Sequence, residues 1–362
     1  MKNGLSKRII AVVMSLILCI SVAAISSAVE GSATQSRTIT LDTSKVIQSD
    51  YKGIGDNLWV GPYSFNMNDA YQKVNEARTN KVQAAWLRML LEPSIMVFLD
   101  EEPAVQQERW EAGIYNTDCV DYKDFINKAK MVAQAGTVIQ LNMGGRVDTM
   151  HGMATWFSIK DSSTSEGGTR GAPANLEAWA KATAFMVREM VELTDTYGKE
   201  GLNKINGKPV IYLSFYNEIN GFSYEAFGNK LEHYCLMIKM VHEELIDAGL
   251  REYVEISGTD LTGFSTSLGV MQALRYMTDN LKDENGDPIY DDLSTHHYDA
   301  TRSAKTMLER CKNYFPLLET TPEKLDLCIT EAAPSSHPNG GEQRVQNFGC
   351  NEVSCAITNM NS

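Results

Sequence analysis

From residue 52 onward the apolar positions alternate between two kinds of run: short aliphatic blocks, and longer stretches in which apolar residues recur every three or four positions. The short blocks predict seven strands, Gly53–Trp59, Ala84–Leu90, Thr137–Met143, Pro209–Phe215, Tyr253–Gly258, Asp292–His296 and Leu325–Thr330. Between them, Trp179, Thr183, Met186, Met190 and Leu193 mark one amphipathic helix. Leu231, Tyr234, Ile238, Val241, Leu245 and Ala248 mark another. Strand then helix, repeated, predicts a parallel sheet. Seven such units and a last helical stretch from about Gly341 to Met360 predict an α/β fold, a (β/α)8 TIM barrel over residues 51–362 that is C-terminally incomplete in this chain. Length agrees, since one large α/β domain accommodates some 330 residues, and no repeat or Pro- or Ser-rich linker divides them.

The first 28 residues follow another pattern. Lys2, Lys7 and Arg8 precede an apolar run from Ile9 to Ile25, and Ser26, Ser27 and Ala28 are small enough for cleavage. This predicts a signal peptide and a secreted, extracellular protein, with residues 29–50 a leader and an N-terminal strand. A retained membrane anchor is the weaker reading, raised because the run approaches the length of a short spanning helix. Bulky Leu18 before Cys19 argues against a lipoprotein signal. Removing the three cations moves the net charge from −13 to −16. So acidic a surface disfavours nucleic acid, anionic lipid and anionic polysaccharide, and leaves neutral sugar polymers compatible. Six cysteines remain, too few for a disulfide scaffold and without a CxxC pair, which disfavours structural zinc. Cys235 and Cys328 read as small core residues in a helix and a strand.

In a parallel barrel the loops after the strands build the active site, so residues at the C-terminal ends of the strands come first. These are Arg88, Asn142, Asn217, Glu218, Asp260, His296, Tyr298 and Glu331. Two of them are glutamates that close apolar runs, Pro-Val-Ile-Tyr-Leu-Ser-Phe-Tyr-Asn-Glu218 and Leu-Asp-Leu-Cys-Ile-Thr-Glu331. An ionised carboxylate at the end of a buried strand is costly unless it has a partner or a task. Glycoside hydrolysis uses two: one acid protonates the leaving oxygen, and a carboxylate about 5 to 5.5 Å away traps the anomeric carbon when configuration is retained. Strands four and seven face each other across an eight-stranded barrel, so Glu218 and Glu331 suit that geometry. The longest loops, about Glu92–Val120 and Gly144–Asn175, are expected to wall a substrate cleft.

Asn217-Glu218 after the fourth strand and Glu331 after the seventh resemble the signature of the clan A retaining glycoside hydrolases. The resemblance implies that Glu218 is the acid/base, that Glu331 is the nucleophile and that Asn217 binds the sugar 2-hydroxyl. Ser294-Thr295-His296-His297-Tyr298 resembles the sixth-strand His-x-Tyr of the clan, which implies that Tyr298 contacts the nucleophile and that His296 lines the sugar site. Arg88, in Trp86-Leu87-Arg88-Met89, is similar to the second-strand arginine that pairs with the nucleophile. A cation there would keep Glu331 ionised, and a more apolar setting would keep Glu218 protonated. Thr38–Val46 and Tyr51-Lys52-Gly53-Ile54-Gly55 resemble clan members with a small β-sandwich beside the barrel. Asn359-Met360-Asn361-Ser362 resembles the turn before the eighth strand, which reads as a fragment. The likeness covers about Gly53–Pro334 and extends equally to family 39 xylosidases, family 5 cellulases and mannanases, and family 30 enzymes.

The residues also admit other readings. Adjacent strand residues point to opposite faces, so only one of His296 and His297 can enter the mouth, which disfavours a metal site with Asp299. No cofactor is expected. Trp156, after the third strand, suits a sugar-stacking platform and a packing residue equally well. Asp260 and Asn142 have only their position to recommend them. The leading expectation is a hydrolase of β-linked poly- or oligosaccharides acting by double displacement on two glutamates. The alternative is a non-catalytic carbohydrate-binding or scaffold protein on a degraded barrel, favoured by the two unpaired edges that seven strands leave. An esterase is disfavoured by the lack of a Gly-x-Ser-x-Gly elbow. Nothing in the chain indicates an oligomeric state.

Overall fold

The computed structural model describes residues 56–58, 84–144, 150–159, 171–219, 230–258, 260–262, 275–298 and 326–333. The expected signal peptide, leader strand and last helix lie outside them. All but Tyr298 and Ala333 of the described residues belong to one compact unit, Lys52–His297 with Arg310–Ala332.

All seven predicted strands form: β1 (Asp56–Leu58), β2 (Trp86–Leu91), β3 (Val138–Met143), β4 (Ile211–Phe215), β5 (Val254–Ile256), β6 (Asp292–Tyr298) and β7 (Asp326–Ala333). The first five pair in parallel and in chain order. The order continues past β5 through the parallel bridge Ser257↔Asp292 and the bonds from Asp291 N to Ile256 O (2.8 Å) and Gly258 N to Asp292 O (2.7 Å). A short extension, Leu261–Thr262, pairs in parallel with Thr295 and His296 of β6, and β7 lies on the other side of β6. Consecutive order without a reversal is the winding of a (β/α)8 barrel, whereas a doubly wound sheet changes direction at a switch point. Strands β6 and β7 run beyond the predicted ends because their backbone pairing outlasts the aliphatic stretch. Glu331 therefore sits inside β7 near its C-terminal end.

Register explains why the strands read as almost continuously apolar yet carry polar residues. Leu87, Met89 and Leu91 of β2, Ile139, Leu141 and Met143 of β3, and Ile211, Leu213 and Phe215 of β4 lie side by side across the ladder. All are 5% exposed or less, and this is the face that the helices cover. The alternate positions carry Trp86, Arg88 and Leu90, then Val138, Gln140 and Asn142, then Tyr212 and Ser214. In a strand successive side chains face opposite ways, so these form a second face, and it is the one that carries the polar residues. Arg88, Gln140, Asn142 and Ser214 are buried there too.

Helices among the described residues include α1 (Pro103–Glu111), α2 (Val120–Ala135), α3 (Leu176–Tyr197) and α4 (Lys230–Asp247). The last two carry the predicted stripes, with Trp179, Thr183, Met186 and Met190 buried on α3 and Tyr234, Ile238, Val241 and Leu245 on α4. Asn175 Oδ1 caps α3 by accepting from Ala178 N (3.0 Å). Cys119 Sγ does the same for α2, accepting from Tyr122 N (3.4 Å) and donating to Ile95 O (3.0 Å). Cys235 is buried on α4 as expected, and that burial pushes its thiol up to about 12. The segment expected to be the loop Glu92–Val120 holds a 3-10 turn (Pro93–Met96) and α1. Periodicity could not indicate α1, because only Gln106 and Trp110 on it are buried. Pro103 in its first turn starts it.

Trp179 ties the helical layer to the end of β4. It is fully buried, with its ring centroid 5.8 Å from Phe157 and 5.6 Å from Tyr216. Trp179→Ala should cost about 3–5 kcal/mol, the usual penalty for emptying so large a buried site, measurable as a lower midpoint in urea unfolding.

Candidate active site

The chain turns sharply where β4 ends. Among the described residues four non-glycines have positive φ, and three of them, Tyr216 (59°), Glu218 (54°) and Asp260 (36°), stand just past the ends of β4 and β5. Such backbone is disfavoured for L-residues and persists where surroundings over-determine it, which is common at functional sites.

The surroundings can be named. Tyr234 Oη donates to Phe215 O (3.0 Å), Tyr216 N donates to Met143 O (2.7 Å), and Asn142 Nδ2 donates to Tyr216 O (2.7 Å). Glu218 N donates to Asp260 O (2.9 Å). The main chain from Phe215 to Glu218 is thereby tied to α4, to β3 and to the segment after β5, so the Glu218 side chain leaves a fixed platform.

Around it the polar face converges. Arg88 places one terminal nitrogen 3.0 Å from Asn217 Oδ1 and 2.8 Å from Asp260 Oδ2. Asn142 Nδ2 donates to the same Asp260 oxygen (3.0 Å) and to Ser214 Oγ (2.8 Å). Arg88 and Asp260 are 1% and 0% exposed, so both charges are desolvated and their pairing offsets part of that cost. Asp260 N in turn donates to Ser294 Oγ (2.9 Å).

His296 is fully buried on β6, with Nδ1 2.9 Å from Glu218 Oε1, whereas the Glu218 side chain is 31% exposed. The imidazole can donate to the carboxylate or accept from the carboxylic acid, so the contact accommodates both protonation states of Glu218. The acid thus has one oxygen held and a path to solvent.

Of the residues singled out in the sequence, Arg88, Asn217, Glu218 and His296 come together here. His296 accordingly meets Glu218. Glu331 and Tyr298 lie on β7 and β6, and their side chains are outside the described residues. Trp156 stands in a different cluster. Its ring is 6.3 Å from Trp110 and 5.8 Å from Phe157, its Nε1 donates to Gln106 Oε1 (3.2 Å), and it lines a cavity of about 380 Å³ with Glu111 and Glu177. Asp260 and Asn142, the two positions without a motif, prove to be the hub of the network. The available signal was their place at strand ends, which many inert polar residues share.

No family model and no curated protein matches this sequence. Solved structures similar to it include a β-mannanase from a symbiotic protist of the termite Reticulitermes speratus, 13% identical, with 80% of this chain and 76% of that one covered and a TM-score of 0.45. The β-mannanase of Thermomonospora fusca in its mannotriose complex is 12% identical, with 83% and 75% covered and a TM-score of 0.40. The catalytic domain of GH30 xylanase C from Talaromyces cellulolyticus is 14% identical, with 77% and 67% covered and a TM-score of 0.37.

Proposed function

We propose that this protein is a secreted retaining glycoside hydrolase of the clan A kind, acting on β-linked poly- or oligosaccharides. The observation that supports this reading above all is the Asn217-Glu218 turn: a half-exposed carboxylate on strained backbone, one oxygen against a buried histidine, beside a buried Arg–Asp pair. A surface salt-bridge glutamate has no need of such a setting. In the proposed reaction Glu218 protonates the glycosidic oxygen as the bond to the anomeric carbon breaks, and Glu331 attacks that carbon from the opposite face. Water then enters on the side the leaving group vacated, giving its proton to Glu218 and releasing Glu331. Asn217, oriented by Arg88, holds the 2-hydroxyl, where contacts tighten as positive charge builds on the ring.

Two inversions restore the starting configuration. Proton NMR of the first product released from a β-linked substrate should therefore show the β-anomer before mutarotation. An α-anomer first would exclude double displacement. Absence of hydrolysis across a panel of β-linked glycosides and polysaccharides, by a folded protein, would favour the non-catalytic binder.

A further inference from the structure

We infer that Asp260 is a positioning residue for the general acid, a role that rests on the hydrolase reading. It touches the Glu218 turn by two routes. Its main-chain carbonyl takes the Glu218 N–H at 2.9 Å. Its carboxylate takes Arg88 at 2.8 Å, and the same Arg88 nitrogen reaches Asn217, the residue before Glu218, at 3.0 Å. A third link runs through Asn142, which bridges the Asp260 carboxylate and the carbonyl of Tyr216, two residues before Glu218. Residues 216 to 218 are thus each bound to Asp260 directly or through one intermediary.

Asp260 can do this because its own backbone is bent. At φ 36° its carbonyl and its carboxylate both reach the β4 side, while its N–H is held by Ser294 Oγ on β6. Aspartate and asparagine tolerate this conformation better than most residues do. Its negative charge also stands 2.8 Å from the buried Arg88 guanidinium, whose desolvation it helps to offset. Strain, charge and three hydrogen-bonded routes, one through its main chain and two through its carboxylate, converge on this one residue.

A residue that only stabilises the fold lowers the rate on every substrate alike, through the fraction of folded enzyme. A residue that aims the acid matters most where the departing oxygen needs a proton. Kcat/KM should be measured for the full chain, wild type beside Asp260→Ala and Asp260→Asn, on aryl β-glycosides whose phenols span a wide range of acidity. Thermal melts would check the folded fraction.

Asp260→Ala should lose about 100-fold on the least acidic phenol and only a few-fold on the most acidic, within the range of general acid catalysis. Asp260→Asn keeps the shape and one acceptor and should fall between Asp260→Ala and wild type. If Asp260→Ala does not fold, the asparagine variant decides by the same change of slope. Parallel slopes for an active wild type and its folded variants would overturn the positioning role alone. A wild type inactive on every glycoside would overturn the hydrolase reading and this role with it.

Discussion

Glu331→Ala should lose activity by about 10⁴-fold or more, in line with removal of the nucleophile from other covalent enzymes. The reason is stereoelectronic as well as electrostatic. The glycosyl–enzyme ester cannot form, and water is too weak and too poorly placed to attack from that face. Added azide is small enough for the vacated space and nucleophilic enough to replace the carboxylate. With Glu218 still present to protonate the leaving oxygen, it should give a glycosyl azide of inverted, α configuration, readable by NMR. Restored activity with that product assigns Glu331. Wild-type rates in the variant would remove it from the mechanism.

Glu218→Ala should behave in the opposite sense. On glycosides with strongly acidic phenols the first step needs no proton, so the intermediate should accumulate and appear as a burst followed by slow turnover. On natural linkages the loss should be about 10²–10⁴-fold, the usual worth of a general acid or base. Azide should here attack the glycosyl–enzyme and yield the retained, β-configured product. The two variants thus give azides of opposite anomeric configuration, and exchanging those outcomes would exchange the two roles. His296, 2.9 Å from Glu218 Oε1, is fully buried, whereas the Glu218 carboxyl reaches solvent.

Much of this architecture was legible in the chain. Strands β2, β3 and β4 announce themselves because one face is apolar without interruption under the helices, and α3 and α4 because their stripes recur at the helical period. Helix α1 was not legible, since burying only Gln106 and Trp110 leaves no stripe to read. Arg88 and His296 were picked out for their type and place. The resemblance gave Arg88 the nucleophile as its partner. The described contacts add Asn217 and Asp260 to its surroundings.

What the sequence determined by itself is the alternation of strands and helices, the chain order of the strands, and the presence of a glutamate toward the C-terminal end of the fourth and of the seventh. Those follow from local periodicity and from the solvation cost of a carboxylate, both properties of neighbouring residues. What only the tertiary structure decided is the conformation of Glu218 and the rank of Asp260. None of Tyr216, Glu218 and Asp260, which have positive φ, is a glycine. Their turns are held by Asn142, 74 and 118 positions from Tyr216 and Asp260, and by the Glu218 N–H on the Asp260 carbonyl, bonds that exist only once parallel strands have brought their ends together.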